Sequence, residues 1–359
     1  MSQRLLFVED IKAQRLLFEE ALEEWNTANA DKQFELATAE TYEAATQMLR
    51  TSRYDAALLD LRLPGENGNL LGEELAKACV FHYGIPAAVI SGHPADFDQS
   101  RFNRMVAIFD KGDGDAYEKA IEWFGGLSHM MTVLSGARQT IQQLGATVFF
   151  LRVWPRWSAY ERLKGIDDNH LVGIVSRQYA SHVADILGID SEENVKWHPF
   201  ENYVVPALLE DRPHTGDLFD LDGEFWIVLT PQCDMATEKA VSVLLARCEQ
   251  KPEKAVWEKY VAGLQPGSSA SKRGDADRFF GRLVNQSEPA QHFLPPLHDG
   301  LPLMVDFKNL RTIPYADLKQ SLNTRVASVA NPFLGNLTQR FGAYVSRMGQ
   351  PNIDTSHFA

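Results

Sequence analysis

Four short apolar runs near the start of the chain each lead into a polar side chain. Leu5–Leu6–Phe7–Val8 is followed by Glu9 and Asp10, and Ala56–Ala57–Leu58–Leu59 by Asp60. Ala87–Ala88–Val89–Ile90 runs into Ser91, and Val106–Ala107–Ile108–Phe109 into Asp110 and Lys111. Carboxylates crowded together repel one another unless a cation sits among them. A hard divalent ion such as Mg²⁺ suits Glu9, Asp10 and Asp60, because it accepts one or two carboxylates and keeps its waters. Lys111 can then bind the oxygens of a transferring phosphoryl group as a point charge, and Ser91 can donate a hydrogen bond to them. Asp60 becomes the nucleophile and an acyl phosphate the product. One Asp at a strand end is ordinarily a cap or a buried carboxylate. The weight of this reading lies in five suitable groups at four strand ends.

The elements that must hold these groups follow from periodicity. The four runs are continuous rather than alternating, as in strands buried on both faces of a parallel sheet. A fifth, Phe34–Glu35–Leu36–Ala37–Thr38, is less regular. Between them lie helical patterns over Ala13–Trp25, Thr41–Arg50, Asn69–Cys79 and Asp115–Phe124. Five β–α repeats predict a doubly wound α/β sheet, which binds ligands at the carboxyl ends of its strands. Gly125–Gly126 is read as the end of this unit. From Leu127 to Leu144 the pattern stays helical, with Met130, Leu134, Ile141 and Leu144 on one side. Such a stripe is more often core than a dimer seam.

With the groups and elements in place, the first 125 residues resemble a receiver domain of the CheY-like family. Asp60-Leu-Arg-Leu-Pro-Gly-Glu-Asn-Gly68 matches the family's run of Asp, then an apolar residue and Pro, then Gly. The resemblance implies that Asp60 is the phosphoacceptor, that Glu9 and Asp10 are the acidic pair, and that the Arg62 backbone carbonyl completes the Mg²⁺ ligands. It places Ser91 at the family's Ser/Thr, Lys111 at its lysine and Phe109 at its switch aromatic. It also implies a partner histidine kinase and remodelling of the face made by the fourth helix, fifth strand and fifth helix. Gly112 stands where the family has Pro.

Composition agrees with a multidomain globular protein. At 359 residues the chain exceeds one ordinary core. No apolar run approaches the ~20 residues a bilayer needs, and MSQRLLFVED lacks a signal-peptide pattern. Cys79, Cys233 and Cys248 are too few and too scattered for a disulfide framework or zinc cluster, so a reducing cytoplasm is expected. Of the net charge of −13, residues 1–126 carry 12 Lys+Arg against 22 Asp+Glu, and the rest 23 against 26. The second part therefore lacks the basic excess typical of nucleic-acid binders.

That second part is predicted to hold a helical linker over 126–190, including a helix from Asp168 to Leu187 capped by Asp168 or Asn169. An α+β output domain follows over 191–359. Thr215–Thr230 reads as a hairpin turning at Asp222–Gly223. Its Gly216-Asp-Leu opening resembles that of small SH3-like barrels, among them certain toxin ribonucleases. Lys239–Ala246 and Leu301–Val305 read as strands, Gln265–Arg273 as a polar loop, and Pro332–Met348 as a final helix. Basic residues Lys272, Arg273, Arg278, Arg282, Arg340 and Arg347 are expected on solvated faces. His198, Glu201, Cys233 and Asp234 would make a hydrolytic or metal site if brought together, though a lone Cys is usually a small buried hydrophobe. Three outputs stay open. The first is binding of a downstream protein, with a homodimer as one form. The others are nucleic-acid binding and a nuclease-like activity at His198, Cys233 or Asp234.

Overall fold

The computed structural model describes residues 2–63, 71–102, 106–162, 165, 167–188, 197–298 and 300–347. They fall into two compact units, Met1–Leu187 and Gly188–Ala359. The expected three-part division thus becomes two, with most of the linker inside the first unit.

Five parallel strands form the first sheet: β1 (Gln3–Val8), β2 (Phe34–Ala39), β3 (Ala56–Asp60), β4 (Ala87–Ser91) and β5 (Val106–Asp110). Their order is β2-β1-β3-β4-β5, the flavodoxin-like doubly wound arrangement. Strands β3 and β4 are buried along their whole length, which explains their uninterrupted apolar composition. The intervening helices are α1 (Lys12–Ala28), α2 (Tyr42–Thr51), α3 (Leu71–Lys77) and α4 (Ala116–Val148). Thr41 caps α2 by accepting the Ala44 N–H at 3.2 Å. Leu5, Phe7, Phe18, Leu58, Ile90 and Phe124 build the core under α1 and α4. Leu6, Leu59, Leu75, Val89, Phe97 and Phe102 build the opposite one under α2 and α3.

Two expectations need correction here. No α-helix joins β4 to β5 among the described residues; two short 3₁₀ turns, Pro94–Asp96 and Gln99–Phe102, stand there instead. Fourteen positions holding Pro94 and three aspartate or asparagine residues favour turns over a full helix. The expected face that includes a fourth helix is therefore not formed as such. Second, Gly125–Gly126 does not end the unit, because α4 runs through both glycines for 33 residues. A Cβ on Gly125 would lie 2.3 Å from the Trp25 ring, so glycine lets α4 approach α1.

Beyond α4 come a π-helical turn (Phe149–Val153), the one-turn α5 (Trp157–Tyr160) and α6 (Asp168–Gly188). The cap of α6 is Asp167, one residue earlier than expected, accepting the His170 N–H at 2.8 Å. Leu171, Ile174, Val175, Tyr179 and Val183 of α6 lean on Val148, Val153 and Tyr160.

The second unit is an antiparallel sheet of seven strands: β6 (Tyr203–Val204), β7 (Asp217–Leu221), β8 (Glu224–Val228), β9 (Ser242–Gln250), β10 (Gln291–Leu294), β11 (Leu303–Pro314) and β12 (Arg325–Val329). Their order is β10-β11-β9-β8-β7-β12-β6. The β7–β8 turn falls at Asp222–Gly223, both at positive φ, as their residue types require. Tyr203 of β6 donates its hydroxyl proton to the Pro295 carbonyl just after β10 at 2.7 Å. The two edges of the sheet are thereby drawn together without a strand ladder. Helices α7 (Gln232–Ala236), α8 (Lys254–Leu264), α9 (Ala270–Val284), α10 (Tyr315–Gln320) and α11 (Phe333–Val345) complete it. Lys272 and Arg273 belong to α9, not to a loop, because Ser269 caps a helix there. The end of the predicted final helix, at Met348, and Pro64–Gly68 of the Asp60 motif lie outside the described residues.

Candidate functional site

The chain turns from β1 to β2 on one side of the sheet and to β3 on the other. The crevice at the carboxyl ends of β1 and β3 is therefore the topological switch point. Glu9 and Asp10 follow β1 there and Asp60 closes β3. Glu9 and Asp60 are buried, whereas Asp10 is exposed. One carboxylate oxygen from each lies within 4.8 Å of the other two. Lys111 reaches across from the end of β5, its Nζ 2.6 Å from Glu9 Oε2 and 3.1 Å from Asp60 Oδ1. Burial pushes the Glu9 carboxyl above its usual range, against the lowering effect of its bond to Lys111.

Ser91 is buried at the end of β4, opposite Asp110 in the ladder, and its carbonyl accepts the Lys111 N–H at 3.0 Å. Its Oγ accepts the His93 N–H at 3.1 Å, which orients the hydroxyl group. Gly112 donates its N–H to Asp110 Oδ1 at 2.8 Å, a bond that proline could not make. Arg62 lies two residues past Asp60, and its guanidinium pairs with Asp96 at 2.6 Å. Phe109 packs with the core under α1 and α4. Its neighbour Ile108 faces the other core, where the 3₁₀ turns sit.

Three supporting residues carried no sequence signal. Arg15 donates from Nη1 to the carbonyls of Glu9 and Asp10 at 2.7 and 2.9 Å and pairs through Nη2 with Glu40 at 2.6 Å. This fixes the backbone carrying both acids. Gly72 abuts the Asp60 backbone so closely that a Cβ there would lie 2.1 Å from the Asp60 carbonyl oxygen. Tyr117 of α4 donates to Gln14 Oε1 at 2.7 Å; burial, with the nearby charges of Glu9 and Asp60, pushes its hydroxyl pKa up.

The donor set fits a hard divalent cation. Three carboxylates converge, one of them open to solvent, and Lys111 offsets only one of the three charges.

The output residues do not converge in this way. His198 caps the 3₁₀ turn Pro199–Asn202: its Nδ1 accepts the Phe200 N–H at 3.2 Å, and its own N–H goes to Glu201 Oε1 at 2.5 Å. Cys233 and Asp234 are exposed on α7, with Sγ 3.7 Å from Asp234 Oδ1. Among the described residues no hydrogen bond joins them to His198. The buried polar cluster of this unit lies elsewhere. Asp217 accepts from the His214 N–H at 2.8 Å, Ser328 Oγ at 2.5 Å and Arg325 Nη1 at 2.9 Å.

No family model matches the sequence, and no curated protein does. Among solved structures, the chain is similar to a CheY-like receiver domain from Methylobacillus flagellatus at 24% identity and a TM-score of 0.27, covering 34% of this chain and 98% of that one. It is similar to the receiver domain of a putative LuxO repressor protein from Vibrio parahaemolyticus at 17% identity and a TM-score of 0.30, covering 37% and 98%. A third is the receiver domain of a sensor histidine kinase from Pseudomonas aeruginosa PAO1, with a magnesium ion in its active-site cleft. That match has 19% identity and a TM-score of 0.28, covering 35% and 99%.

Proposed function

We propose that the chain is a response regulator of two-component signalling, whose first unit accepts a phosphoryl group on Asp60 from a histidine kinase. The observation that carries this reading is the Lys111 ammonium lying between Glu9 and Asp60 beside a third carboxylate, all at the sheet's switch point. In the reaction an Asp60 oxygen attacks phosphorus, the phosphorus–nitrogen bond to the kinase's histidine breaks, and the bonding pair returns to the imidazole. Lys111 exchanges Asp60 for the incoming phosphoryl oxygens while keeping Glu9. Ser91 turns its hydroxyl proton towards the same oxygens. Glu9, Asp10, Asp60 and the Arg62 carbonyl would hold Mg²⁺, which neutralises charge on the phosphoryl group when bound. Phe109, adjoining this end of β5, is the residue through which the aromatic core senses the change.

The test is incubation of the full chain with a small acyl-phosphate donor, with and without Mg²⁺, read by intact mass. A Mg²⁺-dependent phosphoryl adduct that Asp60→Asn abolishes is expected. Equal labelling in that variant would overturn the acceptor, and no adduct under any condition would leave a docking module. For the second unit, the capping role of His198 favours protein binding over nuclease chemistry. Nucleotide release from RNA or DNA, lost in His198→Ala, would reverse that preference.

A further inference from the structure

Helix α4 belongs to the first unit's core only through its first half. Ala120, Ile121, Phe124, Gly125, Ser128 and Met131 are buried, whereas from Thr132 to Thr147 no side chain is. A helix of this length in water needs an apolar stripe packed against something. It has such a stripe: Leu127, Met130, Leu134, Ala137, Ile141, Leu144 and Val148 recur at spacings of three and four through three heptads. Met130, Leu134 and Ile141 are 43%, 37% and 53% exposed. Only Val148 at its end is buried, by the chain's own Val153 and Tyr160.

We infer that this stripe is the seam of a parallel two-stranded coiled coil between two copies of the chain. Three observations select a second copy. First, a repeat of 3.5 residues tracks a supercoiling helix, whereas packing on a domain surface follows 3.6 and drifts off the stripe. Second, Leu127–Val148 contains one charged side chain, Arg138, and its guanidinium is directed to the Gly84 carbonyl of the same unit. Identical helices can therefore lie side by side without like charges meeting across the seam. Third, the exposed stripe residues Met130, Leu134 and Ile141 are continued just past the helix end by exposed Phe149, Phe150, Leu151 and Trp154, apolar surface that a second copy lying alongside in parallel covers in step with the seam. The receivers themselves are acidic and repel, so added salt strengthens this dimer where it would weaken an ionic one.

The experiment is sedimentation equilibrium of the full chain, together with Leu134→Glu/Ile141→Glu and, as a control on the outer face, Gln139→Glu. Wild type and control are expected to dimerise, more tightly at high salt, and the double variant to dissociate at least a hundredfold more easily. All three should keep their far-UV circular dichroism. In a Cys233→Ser background, Ala137→Cys should cross-link to itself with a short bismaleimide and Gln139→Cys should not. A wild type that stays monomeric, a double variant that stays dimeric, or equal cross-linking at both positions would overturn the seam. A monomer whose Cys at 137 is shielded from the reagent would also overturn it, pointing to the second unit as the cover.

Discussion

Each unit buries an aspartate beside a cation, and the two are opposites. Asp217 is wholly buried, and its carboxylate accepts from a backbone N–H, a hydroxyl and a guanidinium. Arg325 is equally occupied, donating also to the Arg212 and Leu209 carbonyls. Asp60 has one protein partner among the described contacts, Lys111 at 3.1 Å, and shares it with Glu9. A carboxylate with three donors fixed on it holds a fold together; one with a single shared donor beside another acid has lone pairs to spare for a cation or an electrophile. The number of partners, more than burial, separates Asp217 from Asp60.

The contrast can be broken most sharply by removing the charge of each aspartate in turn. Asp60→Asn should remove all phosphoryl labelling while moving stability by no more than about 1 kcal/mol, because it also relieves repulsion with Glu9. Asp217→Ala should leave labelling intact yet cost about 3–5 kcal/mol, since it strands a buried guanidinium. Urea unfolding of both variants beside intact-mass labelling checks the pair; matching stability losses would erase the distinction. A smaller effect is expected from Gly72→Ala, whose methyl group must push back the Asp60 backbone. A loss of about 1–3 kcal/mol with slower labelling is expected, and wild-type labelling would show that the strand end has slack.

The smallest effect concerns a buried group with too few partners. His292 has an unpartnered Nδ1, and burial, with the charge of Arg340, pushes its pKa down to about 3. Between the ordinary value of 6.5 and about 3 the unfolded chain takes up a proton that the folded chain refuses. Its contribution to stability is therefore full above pH 6.5 and falls by up to about 1.4 kcal/mol per pH unit below it. His292→Leu should flatten that part of the acid limb in denaturation curves taken at pH 7 and pH 5. An unchanged slope would mean the imidazole is protonated in place.

How much of this was legible follows from the range of the contacts. Glu9, Asp60, Ser91 and Lys111 each sit at the end of an apolar run, so strand topology alone brings them together. The Asp217 cluster joins residues 108 and 111 positions apart with no run to mark them, and its partners emerge only from the folded sheet. Gly72 and Arg15 act through the backbone of the acids, which leaves no trace in residue spacing. The 3₁₀ turns that stand between β4 and β5 among the described residues were hidden because the family resemblance supplied a helix there. The local residues, from His93 to Asp98, spell turns. Lys272 and Arg273 were misplaced because Gly267, Ser268 and Ser269 resemble a flexible loop, although Ser269 in fact starts a helix.

Helix α4 starts five residues after Lys111 and is seated by Tyr117 against Phe7 and Phe18 and by Gly125 against Trp25. At 33 residues it is a rod of about 50 Å whose fulcrum lies beside the acidic crevice. Beyond Met131, its last side chain in the core under α1 and α4, it projects about 25 Å, so a tilt of roughly 5° there would carry the far end through about 2 Å. The reach of the helix therefore converts angle into distance: a rotation small enough to leave the core packing in place would still shift the end of the rod by more than a bond length.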